Sequence, residues 1–289
     1  MNLKVLAYPI HEIGQRSNQE DSLYPSYDES PCKGPLYILC DGMGGHANGE
    51  LASETVCKAM SDYILSHSDP DDCFGEEDFA KALSSAYTEL DAKDTDDEKK
   101  MGTTLTFAIF HGGGCFVAHI GDSRIYHIRP SAHKILYVSR DHSLVNELVE
   151  LGEMTPEEAR TSHQKNVITR AMQPHQDVPS KADCLNLTDL KPGDYIYLCS
   201  DGMLEKMDDQ ELVDTLSSRT PDSGKISLLK KKSKDNKDNH SAWLIHILSV
   251  NSIPEIGKKP LVYRLILVVL ILAMIGIIAC FLFNFRLVF

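Results

Sequence analysis

Several junctions in this chain place carboxylates where they could hold hard cations. Residues 36–40, Leu-Tyr-Ile-Leu-Cys, run straight into Asp41-Gly42-Met43-Gly44-Gly45. Residues 195–199 run into Ser200-Asp201-Gly202, and residues 116–120 into Gly121-Asp122-Ser123-Arg124. Each time an apolar run rich in β-formers delivers an aspartate and a glycine to its end. A strand end gives rigid placement, and glycine lets the backbone turn tightly or bring a carbonyl close to a ligand. Glu20-Asp21 follows the start of the chain, and Asp238-Asn239 precedes its last strand-like run. Mg²⁺ and Mn²⁺ favour carboxylate, carbonyl and water oxygens. Asp-Gly is also a common turn dipeptide, so a single junction reads as a turn. Together the junctions point to a shared cation centre.

The elements that must position these residues are legible in outline. Residues 36–40, 103–110, 115–120, 124–128 and 195–199 are predicted strands. Gly112-Gly113-Gly114 joins two of them as a hairpin, and Pro192-Gly193-Asp194 is a turn before another. Ala52, Val56, Ala59, Met60, Tyr63 and Ile64 share one helical face, as do Phe79, Leu83, Ala86, Tyr87 and Leu90. The acidic stretch 69–78 between them reads as a solvated loop and helix start. Residues 208–216 read as a capped helix, and 152–160 as a helix start and helix. Residues 217–237, including Lys230 to Lys232, are polar and weakly patterned and read as a loop. The fold class expected is α+β, with sheet packed on sheet and helices grouped between hairpins.

Bulk properties narrow the function. The chain has 289 residues and a formal net charge of -13. That excludes non-specific nucleic-acid binding. An acidic protein that handles phosphate needs metal ions or well-placed arginines. The eight cysteines include no C-x-x-C pair and suit a reducing compartment. The N-terminus lacks the apolar region of a signal peptide. A catalytic domain over 1–248 is expected, then a linker over 249–260, a transmembrane helix over 261–285 and a tail over 286–289. The helix rests on residues 265–283, 19 in a row without a charge, enough to cross a hydrocarbon core of ~30 Å. Lys258, Lys259 and Arg264 precede this run and Arg286 follows it. That bias puts the main domain in the cytoplasm, anchored at its C-terminal end.

The ordered set Arg16-Ser17-Asn18-Gln19-Glu20-Asp21, Asp41-Gly-Met-Gly-Gly, Gly102-Thr-Thr, Gly121-Asp-Ser-Arg, Asp141-His-Ser, Asp201-Gly and Asp238-Asn-x-Ser resembles the type 2C (PPM) metal-dependent Ser/Thr protein phosphatases. The resemblance covers about residues 8–248. Residues 141–170 resemble the bacterial-type members, where this stretch supports a mobile flap. It implies two antiparallel sheets face to face, helices on both outer faces, and two Mn²⁺ or Mg²⁺ ions at one edge. By motif position, Asp41 bridges the ions and Gly42 offers its carbonyl to one. Asp201 and Asp238 hold the other, and Glu20 and Asp21 meet them directly or through water. Asp122 with Asp201 matches a third, weaker metal site. Arg16 binds the substrate phosphate. The resemblance further implies hydrolysis of phosphoserine and phosphothreonine by direct attack of a metal-bridging hydroxide, without a phospho-enzyme. The expected partners are phosphorylated proteins, kinases or their substrates among them.

Two departures from the family pattern stand out. Many eukaryotic members have His after the first Asp-Gly; here Met43 stands there, as in bacterial-type members, and it cannot donate a proton. The general acid is therefore unassigned, and His46 reads as a helix-start residue. The approach to the last metal motif is short and lysine-rich, with two Asp-Asn pairs. Asp238 is preferred over Asp235 because a strand-like run follows it at once. The lysines read as a solvated loop, with contact to anionic lipid as the alternative. A degenerate phosphatase that only binds phosphoproteins, and a membrane-tethered regulator, are the competing functions.

Overall fold

A computed structural model of the chain describes residues 2–28, 30–44, 47–68, 73–94 and 100–251. Period-two alternation builds two antiparallel sheets. The first runs β1 (Asn2–Glu12), β11 (His240–Asn251), β10 (Tyr195–Cys199), β7 (Arg124–Arg129) and β8 (Lys134–Val138). The second runs β2 (Asp21–Tyr24), β3 (Leu36–Met43), β5 (Leu105–His111), β6 (Gly114–Ile120) and β9 (Asp183–Leu187), with the short β4 (Gly102–Thr103) on β3. Pro9 falls on β1, an edge strand, where a missing N–H is tolerated.

Both faces of the central strands are covered. Tyr37 and Leu39 of β3 meet Ile196, Leu198, Trp243 and Ile245 between the sheets, where the Trp243 indole N–H donates to the Ile38 carbonyl at 3.2 Å. Leu36, Ile38 and Cys40 face the other way, onto α1 (Ala47–His67) and α2 (Glu76–Asp91). Across the sandwich, Tyr197 and Leu244 pack on α5 (Asp209–Ser217) and α6 (Asp222–Ser233). The expected layering of helix, sheet, sheet and helix is therefore present. Asp208 caps α5 by accepting from the Glu211 N–H at 2.8 Å, in a reciprocal capping box. The segment between β8 and β9 carries α3 (Leu144–Glu150) and α4 (Pro156–Thr161).

Two expectations need correction. Residues 217–237 are not a loop, because α6 occupies most of them. Its inward positions at a four-residue spacing are Lys225, Leu229 and Ser233, all buried. With two of the three polar, the helical period is masked. Lys225 reaches the Tyr195 hydroxyl at 2.9 Å, and Asp222 accepts from the same hydroxyl at 2.5 Å and meets His246 Nδ1 at 2.7 Å. The main domain also does not stop at 248: β11 runs to Asn251, into the expected linker. The rest of the linker, the transmembrane helix over 261–285 and the tail lie outside the described residues. Among the described residues no helix is long and apolar enough to cross a membrane, and the seven described cysteines are free.

The end of the sandwich away from the aspartates carries a buried ionic network. Asp194 accepts from Arg129 Nε at 2.9 Å and Nη2 at 2.8 Å, and meets His127 Nε2 at 2.9 Å. Burial pushes the Asp194 carboxyl up, but the His127 and Arg129 hydrogen bonds outweigh it and hold the group below its usual range. A carboxylate so depressed contributes stability above its unfolded value, and that stability is lost as pH falls through the folded value. Asp194→Ala leaves the Arg129 guanidinium short of its main partner. The expected cost is about 3 kcal/mol in urea unfolding at neutral pH, shrinking as the pH is lowered below about 4.

Candidate metal centre

Antiparallel pairing brings the aspartate-bearing ends to one edge. Asp21, the first residue of β2, pairs directly with Asp41 on β3. Cys199, the last residue of β10, pairs with Ala242 near the start of β11 and with Arg124 at the start of β7. Asp201, Asp238 and Asp122 thus come to the same edge from three strand junctions.

Asp41 and Glu20 are braced through their own backbones. The Asp41 N–H donates to Thr104 Oγ1 at 3.0 Å, while its carbonyl accepts from Thr103 Oγ1 and the Thr104 N–H, both at 2.9 Å. That is the task of the Gly102-Thr103-Thr104 motif, and Thr104 Oγ1 also meets Ser123 Oγ, beside Asp122, at 2.8 Å. Gly42 must be glycine because a Cβ there would collide with the carbonyls of Gly49 and Glu20. The Glu20 N–H donates to Asn239 Oδ1 at 2.8 Å, and Asn239 Nδ2 donates to the carbonyls of Ile13 at 2.9 Å and Asn18 at 3.0 Å. The Glu20 carboxylate accepts from Asn18 Nδ2 at 3.2 Å. Ser200 donates to Asp21 Oδ2 at 3.0 Å, yet Asp21 Oδ1 is buried with no hydrogen-bond partner.

The charges are mutually repulsive. Burial, then the charges of Asp21, Asp201, Asp122 and Asp238, holds Asp41 well above the usual carboxylate range. Burial pushes Asp21 up to about 7 against hydrogen bonds from Ser241 and Ser200, with Asp201 and Asp238 adding to the rise. Burial and the Asp201 charge push Asp122 up to about 7; burial and the Asp238 charge push Asp201 up to about 6. Among the described residues, the one ion pair on this set is Arg16 to Asp238 at 2.6 Å. An all-oxygen donor set, self-repelling and with an orphaned carboxylate oxygen, fits hard divalent cations. Asp41, Asp21, Glu20, Asp122, Asp201 and Asp238 are the residues that would hold them, with the Gly42 carbonyl.

Sequence reading left some of this edge unassigned. Asp41, Asp21 and Asp201 each feel the Asp238 charge, whereas Asp235 is not among the main charges on them and is exposed. Asp235 presents instead its carbonyl, to Lys206 Nζ at 2.6 Å and to Gln15 Nε2 at 3.4 Å. Glu205, which no motif had marked, accepts from the N–H groups of Lys237 at 3.0 Å and Asp238 at 3.0 Å and so shapes the turn. Asp141 is clamped by Arg124 through Nε at 2.6 Å and Nη2 at 2.7 Å, and its charge bears on Asp122 and Asp201. Both were visible in the motifs, but their pairing across 17 residues was not. Met43 lies on β3 and offers no proton, and His46 lies outside the described residues.

One further cluster carries ligand-type atoms: His119, His142 and Asp183 lie within 4.8 Å of one another. It does not fit a metal ion. The two imidazoles are stacked, 4.6 Å apart and only 11° from parallel, so their in-plane lone pairs cannot converge on one ion. His142 Nδ1 also accepts the Gly121 N–H at 3.1 Å. Its Nε2 faces Asp183 at 3.2 Å and Arg170 Nη1 at 3.3 Å. The cluster ties the segment after β8 to Gly121, beside Asp122.

Fold and site together define a class. The chain belongs to the protein phosphatase 2C family, whose model matches residues 11–246, and its similarities are to bacterial members. It is 35% identical over 205 residues to the serine/threonine protein phosphatase PstP of Mycobacterium tuberculosis, a match covering 70% of this chain but 36% of that protein. It is 34% identical over 225 residues to the protein phosphatase PhpP of Streptococcus pneumoniae, covering 76% of this chain and 87% of that one. The fold matches the crystal structure of the PstP catalytic domain in complex with two manganese ions, at a TM-score of 0.68 and 28% identity, covering 86% of this chain and all of that one.

Proposed function

We propose that the chain is a metal-dependent protein phosphatase that hydrolyses phosphoserine and phosphothreonine in proteins, with Mn²⁺ or Mg²⁺ held by the aspartate edge. The observation that carries this is the convergence of Asp21, Asp41, Asp122, Asp201 and Asp238, each acting on the charge of others, with Arg16 at its border. Two divalent cations, when bound, supply an activated water and offset phosphate charge. The protein's own part is placement. Asp41, fixed by Thr103 and Thr104, feels the charges of Asp21, Asp201, Asp122 and Asp238, which would suit a carboxylate shared by two ions. The Arg16 side chain is 53% exposed, and its planar fork suits two phosphate oxygens. The buried Asp21 hydrogen-bonds Ser200, next to Asp201, so the two halves of the site are set by both sheets at once. No cysteine is needed: Cys40 and Cys199 face the cores between sheet and helices.

The uncharged run over 265–283 supports a tether to the cytoplasmic face of a membrane, which would bring the site to phosphorylated proteins there, kinases or their substrates among them. Recovery of the native chain in the washed membrane pellet, lost on deletion of 265–283, is the expected result.

The catalytic reading is tested with the full chain in mild detergent on a small aryl phosphate. Turnover is expected with Mn²⁺ or Mg²⁺, to vanish with a chelator and to return on adding metal. Turnover that persists in chelator would overturn it.

A further inference from the structure

The lysine-rich approach to Asp238 has no part in the chemistry above. Residues 230–239 hold Lys230, Lys231, Lys232, Lys234 and Lys237 against Asp235 and Asp238, in a chain of net charge -13. Lys230 pairs with Glu12 and Lys232 with Glu211. Lys234 and Lys237 are exposed, and no ion pair with a described carboxylate takes up either one.

The loop that carries them is well anchored. Ser233, Asn236 and Asn239 are turned inward, with exposures of 2%, 1% and 4%. Asn236 Nδ2 donates to the carbonyl of Gly202, beside Asp201, at 2.7 Å. The Gln15 N–H, beside Arg16, donates to the Lys237 carbonyl at 3.1 Å. Lys206 is exposed and crosses to the Asp235 carbonyl at 2.6 Å. Arg16, Lys206, Lys234 and Lys237 thus belong to three adjoining segments bound to one another around Asp238. The opposing charges there are Asp235, which is exposed, Asp238, which pairs with Arg16 at 2.6 Å, and Glu205, whose oxygens take the Lys237 and Asp238 N–H groups.

We infer that this rim selects its substrates: the site prefers phosphoserine and phosphothreonine flanked by acidic residues. The inference rests on the phosphatase reading. Exposed lysines bind a free carboxylate weakly. A carboxylate on the same peptide as a phosphate already held by Arg16 is at a high effective concentration, so the weak contacts discriminate. An anionic bilayer would offer the same charge but not that tether, and the lysines stand in the loop of a metal-site residue.

The test uses the full chain with Mn²⁺ and two phosphoserine peptides that differ only in Glu or Gln at the flanking positions. The expected ratio of kcat/KM, acidic over neutral, is about threefold to tenfold at low salt, collapsing toward one at high salt. Lys234→Gln/Lys237→Gln should lower the ratio, and Lys234→Glu/Lys237→Glu should invert it. Matching phosphonate peptides, read by fluorescence anisotropy, should show the same order in binding alone. A native ratio near one, or a ratio unmoved by either double variant, overturns the inference. So does loss of binding to phosphatidylserine vesicles in the variants with no change in the ratio, which would assign the rim to lipid. If the native chain fails to turn over an aryl phosphate, the phosphatase reading falls instead, and the anisotropy order still decides the rim.

Discussion

Asp41→Asn is expected to lower turnover of an aryl phosphate on the order of a thousandfold, about 4 kcal/mol of lost transition-state stabilisation, while making the metal-free protein more stable. The two effects share one cause. Asp41 is held far above its ordinary pKa by burial and by four neighbouring carboxylates. Without a cation the buried carboxyl must take up a proton that the unfolded chain has released, and the amide removes that cost without changing the shape. The metal-free melting temperature should rise, by about 2–4 °C for each kcal/mol of repulsion relieved. The rise that Mn²⁺ gives the native chain should be largely lost in the variant.

The pH dependence carries the same signature, and its sign follows from linkage. Asp21, Asp122 and Asp201 have folded values of about 7, about 7 and about 6, raised from 3.8. Between those limits the folded chain holds protons that the unfolded chain has released. Metal-free stability therefore falls as pH rises from about 4 to about 7. Bound Mn²⁺ needs the ionised carboxylates, so the stabilisation it gives should grow over the same range. Asp194 and Asp222, held below their usual range, act only at lower pH, so the windows separate in thermal scans against pH.

The second large effect discriminates between neighbours three residues apart. Asp238→Ala should cost at least a hundredfold in activity and weaken Mn²⁺ binding, because it removes a carboxylate that acts on Asp21, Asp41 and Asp201 and holds Arg16 at 2.6 Å. Asp235→Ala should leave aryl phosphate turnover within about threefold, as for an exposed surface site, since that residue joins the loop through its carbonyl. Steady-state rates of the two variants, measured side by side over a Mn²⁺ titration, check this. Comparable losses in both would contradict the placement.

What the sequence made legible follows from how these residues work. A carboxylate that must be rigid sits where an apolar strand ends, and that pattern is local: Cys40 into Asp41, Ile120 into Gly121-Asp122, Cys199 into Ser200-Asp201. Central strands buried on both faces announce themselves as apolar runs, and so β3, β6 and β10 were legible. The edge strands were not. β9 buries only Leu187 and so needs no run of β-formers, while β8 carries one over residues 135–138 but buries none of it. The helix α6 was hidden because its inward side uses Lys225 and Ser233 in place of apolar groups. The Arg124–Asp141 clamp, and Glu205 beneath the Asp238 turn, are long-range pairings that no local pattern encodes. Sheet packed on sheet was already expected from the hairpin-linked strands, and the ordered motifs added the helices on both outer faces.

Strand-end aspartates that hold two divalent ions should be visible through the ions themselves. Anomalous scattering from manganese in crystals of the chain soaked in Mn²⁺ measures this directly. Two peaks are expected at this edge, with Asp41 touching both ions and Asp201 and Asp238 on one of them. No peak at millimolar Mn²⁺, or a peak only at His119, His142 and Asp183, would contradict it.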